Sequence, residues 1–113
     1  MFTKKSSEGF QEPFAGVRLK TIAHGHKTLM AEFRLTKGHE LPEHSHPHEQ
    51  TGYLVSGRIV LIVEGRRHEA EPGDSWCIPG QAVHSAEIRE DSVAVEVFSP
   101  VREDYLPPPT ADA

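Results

Sequence analysis

Cysteine is nearly missing from this chain. Cys77 stands alone among 113 residues, so no internal disulfide can form, and a reducing, cytoplasmic setting is expected. Long apolar runs are missing as well. No stretch approaches the roughly 18 apolar residues of a spanning helix, and the lysines near the start precede no apolar segment of the signal-peptide kind. Basic charge is not in excess: 12 Lys and Arg against 17 Asp and Glu leave a net charge of -5. That balance argues against nucleic acid or an anionic membrane as partner. A helical apolar period is absent too, since no window offers an amphipathic helix of about 10 or more residues.

What the chain does contain is a series of short extended segments divided by turn residues. Val17 to Ala23 alternates apolar and polar, His24-Gly25-His26 turns, and Leu29 to Leu35 returns. A loop at 38–42 leads into a histidine-bearing strand that ends near Ser56-Gly57. Residues 58–63 form an apolar strand closed by a Glu64-Gly65-Arg66 hairpin turn. Further strands are expected at 67–71, 75–78, 84–88 and 93–98, with Pro72-Gly73-Asp74 and Pro79-Gly80 as turns. Eight or more such strands in one small domain predict an all-β sandwich or barrel, and a barrel would remove sheet edges and enclose a cavity. Residues 1–14 read as a polar arm, 15–105 as the barrel, and 106–113 as a Pro-rich, extended tail.

Histidine is plentiful, at 8 residues. His44, His46 and Gln50 share parity, so on one extended strand they would present two imidazoles and an amide oxygen to one face. His84, after its own turn, supplies a third imidazole. Three imidazoles and one neutral oxygen suit a divalent transition metal, with open coordination positions left for a ligand. A glutamine in place of a carboxylate keeps the metal's full charge, which favours Lewis-acid work over chemistry at an oxidised iron. The alternative, a solvated polar loop, is the ordinary fate of a short His-x-His pair. His48 has the ligand parity but follows Pro47, which can turn it away; Glu49 has the wrong parity. His24, His26, His39 and His68 read as surface residues, and Cys77 as a buried, inert thiol beside Trp76.

These residues resemble the two motifs of the cupin superfamily. Gly38, His44, His46, Gln50 and Gly57 match the first motif, with Gln in place of Glu. Gly73, Pro79 and His84 match the second, where Gln81 stands at a glycine position and Ile88 at an asparagine. The resemblance implies a single-domain cupin β-barrel, a jelly-roll-like double-stranded β-helix, holding one divalent metal (nickel, iron, manganese, zinc or copper) on His44, His46, Gln50 and His84.

The stretches 44–50 and 97–106 also look like the small cupins of pectin and alginate breakdown, which convert 4,5-unsaturated uronates to linear keto forms. That narrower likeness implies Glu96 and Arg102 as catalytic groups, with Arg102 pairing a substrate carboxylate and Phe98 and Tyr53 shaping the pocket. Glu96 stands where that family is expected to carry Asp. Two other classes stay open, a metal-dependent dioxygenase and a non-catalytic small-molecule sensor. A homodimer is expected, with the apolar 58–63 strand as a contributor to its interface.

Overall fold

A computed structural model of the chain describes residues 2–107. Ten strands follow one another: β1 (Gln11–Phe14), β2 (Val17–His24), β3 (Leu29–Leu35), β4 (Glu40–His44), β5 (Glu49–Ser56), β6 (Ile59–Val63), β7 (Arg66–Ala70), β8 (Ser75–Ile78), β9 (His84–Ile88) and β10 (Ser92–Ser99). A short 3-10 turn, Glu103–Tyr105, comes after β10, and among the described residues there is no α-helix. No helix is long and apolar enough to cross a membrane.

The strands form two sheets, a six-stranded one ordered β1-β2-β3-β10-β5-β8 and a four-stranded one ordered β4-β9-β6-β7. Every pairing is antiparallel. The all-β jelly roll expected from the sequence is therefore present, but the sheets meet through side chains rather than by a closed hydrogen-bonded ring. Among the described residues, strands β1, β8, β4 and β7 keep free edges, which the expected barrel closure would have removed.

Alternation explains the core. Leu29, Ala31, Phe33 and Leu35 of β3 face the same interior as Ala94 and Phe98 of β10 and Leu54 of β5, and meet Ile59, Ala70 and Ile88 of the opposite sheet. Phe98 is 1% exposed, and its burial contributes on the order of 2–3 kcal/mol. The β6–β7 hairpin turns through Glu64 at φ 49° and Gly65 at φ 78°, the left-handed pair that a two-residue hairpin loop needs.

Two expectations need correction here, and a third falls mostly outside the described residues. Residues 11–14, taken with the arm, add an edge strand to β2, although all four are as exposed as an arm would be. The apolar strand at 58–63 has little to offer a second copy, because Ile59, Val60 and Leu61 are already buried within the chain. Of the Pro-rich tail, only Leu106 and Pro107 fall among the described residues; 108–113 lie outside them.

Candidate metal centre and active site

The histidines do not share one strand. His44 closes β4 in the four-stranded sheet, His46 rides in the loop 45–48, and Gln50 is the second residue of β5 in the six-stranded sheet. The chain changes sheets at this point, and Pro47, which has no N–H for a ladder, sits in the crossing. The parity argument thus puts Gln50 on the inward face of β5 correctly, but the convergence with His44 comes from the crossing. His84 opens β9 directly opposite His44.

The loop is held by the turn at 79–82. The Gln81 backbone N–H donates to the His46 carbonyl at 2.7 Å, and Gly80 lies so close to the Pro47 carbonyl that a side chain would collide with it. Gln81 adopts φ 69°, in the left-handed region, at the position where the cupin motif carries glycine.

His44, His46 and His84 bring one ligating nitrogen each within 4.8 Å of the others. All three Nδ1 atoms face backbone carbonyls: His44 to Pro42 at 2.8 Å, His84 to Ala82 at 2.8 Å, and His46 to His48 at 3.1 Å. A carbonyl only accepts, so the Nδ1 atoms of His44 and His84 carry the proton and their Nε2 atoms are left as lone pairs. The His84 Nε2 is buried with no hydrogen-bond partner among the described residues.

His46 faces an acceptor oxygen on both sides, the His48 carbonyl at Nδ1 and the Gln50 Oε1 at Nε2, each at 3.1 Å, and a neutral ring can donate to only one of them. Burial, followed by the charge of Arg102, lowers the His46 pKa, so an imidazolium does not resolve that contact; burial drives His84 down to about 4. A cation between these lone pairs would satisfy all of them. The donor set and the orphaned nitrogen therefore fit a divalent transition metal held by His44, His46, His84 and Gln50.

Glu96 stands beside this cluster on the inward face of β10 and is buried. Its register partner on β5 is Gly52, whose own partner on β8 is Trp76. The Trp76 Nε1–H donates across the glycine to both carboxyl oxygens, at 3.2 and 3.3 Å. Gln50, whose oxygen faces His46, also acts on Glu96 and favours its ionised form. Desolvation nevertheless dominates and raises the Glu96 pKa to about 7.

Arg102 follows β10 and closes the site. Its Nε and Nη2 donate to Asp104 at 3.1 and 2.6 Å, and its guanidinium lies 3.9 Å from the centre of the Tyr105 ring and 5.1 Å from that of Phe98. Burial alone would raise the Asp104 pKa, but the hydrogen bonds and charge of Arg102 outweigh it and hold the carboxyl below its usual value. His44, Gln50, His84, Glu96, Phe98, Arg102 and Tyr105 line a cavity of about 240 Å³.

Other expected residues fall elsewhere. Tyr53 is 50% exposed and does not line the cavity, because its odd position on β5 points it outward while Gln50, Gly52 and Leu54 point in. Cys77 is exposed rather than buried, for the same reason: its neighbours Trp76 and Ile78 take the inward face. His48 is half-buried and outside the trihistidine cluster. Glu49, His24, His26, His39 and His68 are exposed. Trp76, Gly52, Asp104 and Tyr105 were not singled out in the sequence. Asp104 and Tyr105 lay inside the 97–106 stretch, but the Trp76 and Gly52 contacts depend on strand order, which local pattern does not disclose.

A jelly roll whose inward histidines come from a sheet-crossing loop and the opposing strand is the architecture of a cupin. Residues 31–100 match the cupin domain model, and the chain belongs to that family. Its fold superposes on the structure of KdgF from a Halomonas species with a TM-score of 0.87 at 30% identity, covering 94% of this chain and 98% of that one. An RmlC-like cupin from Shewanella frigidimarina gives a TM-score of 0.87 at 26% identity, covering 93% and 95%. The pectin degradation protein KdgF of Dickeya dadantii is 28% identical over 93 residues, 80% of this chain and 84% of that protein.

Proposed function

We propose that this cupin holds one divalent transition metal (nickel, iron, manganese, zinc or copper) on His44, His46, Gln50 and His84 and opens a 4,5-unsaturated uronate to its linear keto form. The observation that carries this reading is the meeting, in one small cavity beside His46, of His44 and His84, a buried carboxyl with a pKa near neutrality, and an arginine. Similarity to KdgF supports the substrate class. At about 240 Å³ the cavity lies below the usual range of roughly 300–1,000 Å³ for ligand pockets, which suits a single sugar ring.

A bound metal supplies Lewis acidity toward a substrate oxygen. The residues supply the rest. Arg102 keeps Nη1 and the second Nη2 hydrogen free of Asp104, and these pair with the substrate carboxylate. Opening breaks the C1–ring oxygen bond of the hemiacetal and leaves an aldehyde and an enol. Ketonisation then moves the enol proton to C4. Glu96, poised to be neutral or ionised near pH 7, gives the proton to carbon and recovers one from the enol oxygen, so atoms balance without an oxidant. Phe98 forms the apolar wall beside His46, ring centres 5.8 Å apart.

The test is the loss of the enol-ether ultraviolet absorbance of an unsaturated uronate. Metal-loaded protein should accelerate it without consuming oxygen, Glu96→Gln should be nearly inactive, and Arg102→Ala should be slow unless the substrate concentration is raised. Substrate-dependent oxygen uptake would point instead to a dioxygenase, and ligand binding without turnover to a sensor. The reading keeps a cytoplasmic setting, supported by the single unpaired thiol, and a second copy as partner. Exposed Met30, Tyr53 and Val55 on the outer face of the six-stranded sheet support the latter.

A further inference from the structure

Glu96 and Trp76 lie on strands that do not touch, with β5 between them. They meet because residue 52 has no side chain: a methyl group there would overlap both the indole Nε1 and the Glu96 Oε2. The three residues are in register, Glu96 opposite Gly52 and Gly52 opposite Trp76, so the contact follows from the ladder rather than from a chance rotamer. Gly52 has ordinary backbone torsion and needs no glycine for its conformation. Its use is the close approach.

Trp76 does not line the cavity that holds the histidines. It lines a separate open groove of about 610 Å³ along strands β7 and β8, together with Leu61, Val63 and Ala70. The indole therefore stands behind Glu96, between the carboxyl and that groove, and touches no substrate. It offers one N–H to two oxygens, which leaves the carboxyl free to give or take a proton on the cavity side.

We propose that Trp76 is a positioning residue for Glu96, holding the carboxyl through the gap at Gly52 so that the longer glutamate side chain reaches its working place. The proposal rests on the uronate reading for the reaction, and on geometry alone for the contact. A carboxyl released from the indole can swing about its extra methylene, and misplacement by about 1 Å costs roughly 100-fold in rate.

Trp76 is the only tryptophan in the chain, so its indole N–H gives a single resonance in a ¹⁵N–¹H correlation spectrum of the full-length protein. That resonance should be protected from solvent exchange in the wild type and in Glu96→Gln, and lose its position and protection in Glu96→Ala. Trp76→Phe should lower kcat by about 10- to 100-fold with KM within about twofold and metal content unchanged. An indole resonance that ignores Glu96→Ala would overturn the proposal, even if Trp76→Phe fails to fold. So would a folded Trp76→Phe variant with wild-type kcat. Should the wild-type metal-loaded protein not turn over the uronate at all, the reaction is rejected, and the resonance still decides whether Trp76 holds Glu96.

Discussion

His44, the last residue of β4, lies directly opposite His84, the first of β9, with ring centres 4.1 Å apart. Each ring is fixed through Nδ1 by a carbonyl two residues back, and the buried Nε2 of His84 is left without a partner among the described residues. Both Nε2 atoms are thereby prepared for a common ligand, because strand pairing sets the spacing and the carbonyls set the tautomer.

Removing one of this pair should remove the metal. Purified protein is expected to carry about one divalent metal ion per chain, and His84→Ala to lower affinity by more than about 100-fold. Elemental analysis of both proteins after identical dialysis checks this. Full occupancy in the variant would refute the ligand set.

Burial of Glu96 should be visible in stability against pH. Its pKa is raised by folding, from about 4.5 to about 7, so the folded state holds a proton that the unfolded state loses between those values. The wild type therefore carries no such penalty below about pH 4.5, and the full one, on the order of 3 kcal/mol, above pH 7. In metal-free protein, Glu96→Gln should match the wild type in denaturant midpoint near pH 4.5 and exceed it at pH 8. A constant difference across that range would contradict the burial.

Arg102 and Asp104 should separate binding from chemistry. Arg102→Ala removes the charge-assisted bonds to the substrate carboxylate, worth about 1.5–3 kcal/mol, so KM should rise by roughly 10- to 100-fold. Asp104→Asn leaves the guanidinium in place but unpinned, and should raise KM by about 3- to 10-fold with kcat nearly unchanged. Steady-state kinetics with the uronate checks both. A fall in kcat alone would place Arg102 in the proton transfer instead.

Gln81 holds a left-handed conformation that glycine adopts more readily. Gln81→Gly should raise stability by about 0.5–1 kcal/mol, the removed strain less the added chain entropy. Because residue 81 holds the loop by its backbone N–H, metal content should not change. Thermal unfolding with elemental analysis checks both parts.

Much of this was legible in the sequence, for one physical reason: side chains alternate along a strand. Parity set Gln50 inward with Glu49 outward, and the same alternation puts Glu96 and Phe98 on one inward face of β10. The same rule, applied to Tyr53, would have put it outside, so that assignment erred in use rather than in principle. Parity also misled where a strand was assumed to continue, since the chain leaves one sheet after His44 and enters the other at Glu49. The Trp76–Gly52–Glu96 ladder was not legible, because it depends on β8, β5 and β10 becoming neighbours across long sequence separations.

The most direct test of the proposed reaction is the time course of enol-ether absorbance when metal-loaded protein meets a 4,5-unsaturated uronate. Absorbance should fall at a rate proportional to enzyme, without oxygen uptake, and Glu96→Gln should slow it by roughly 100-fold or more. Decay at the same rate with and without the metal-loaded enzyme would contradict it.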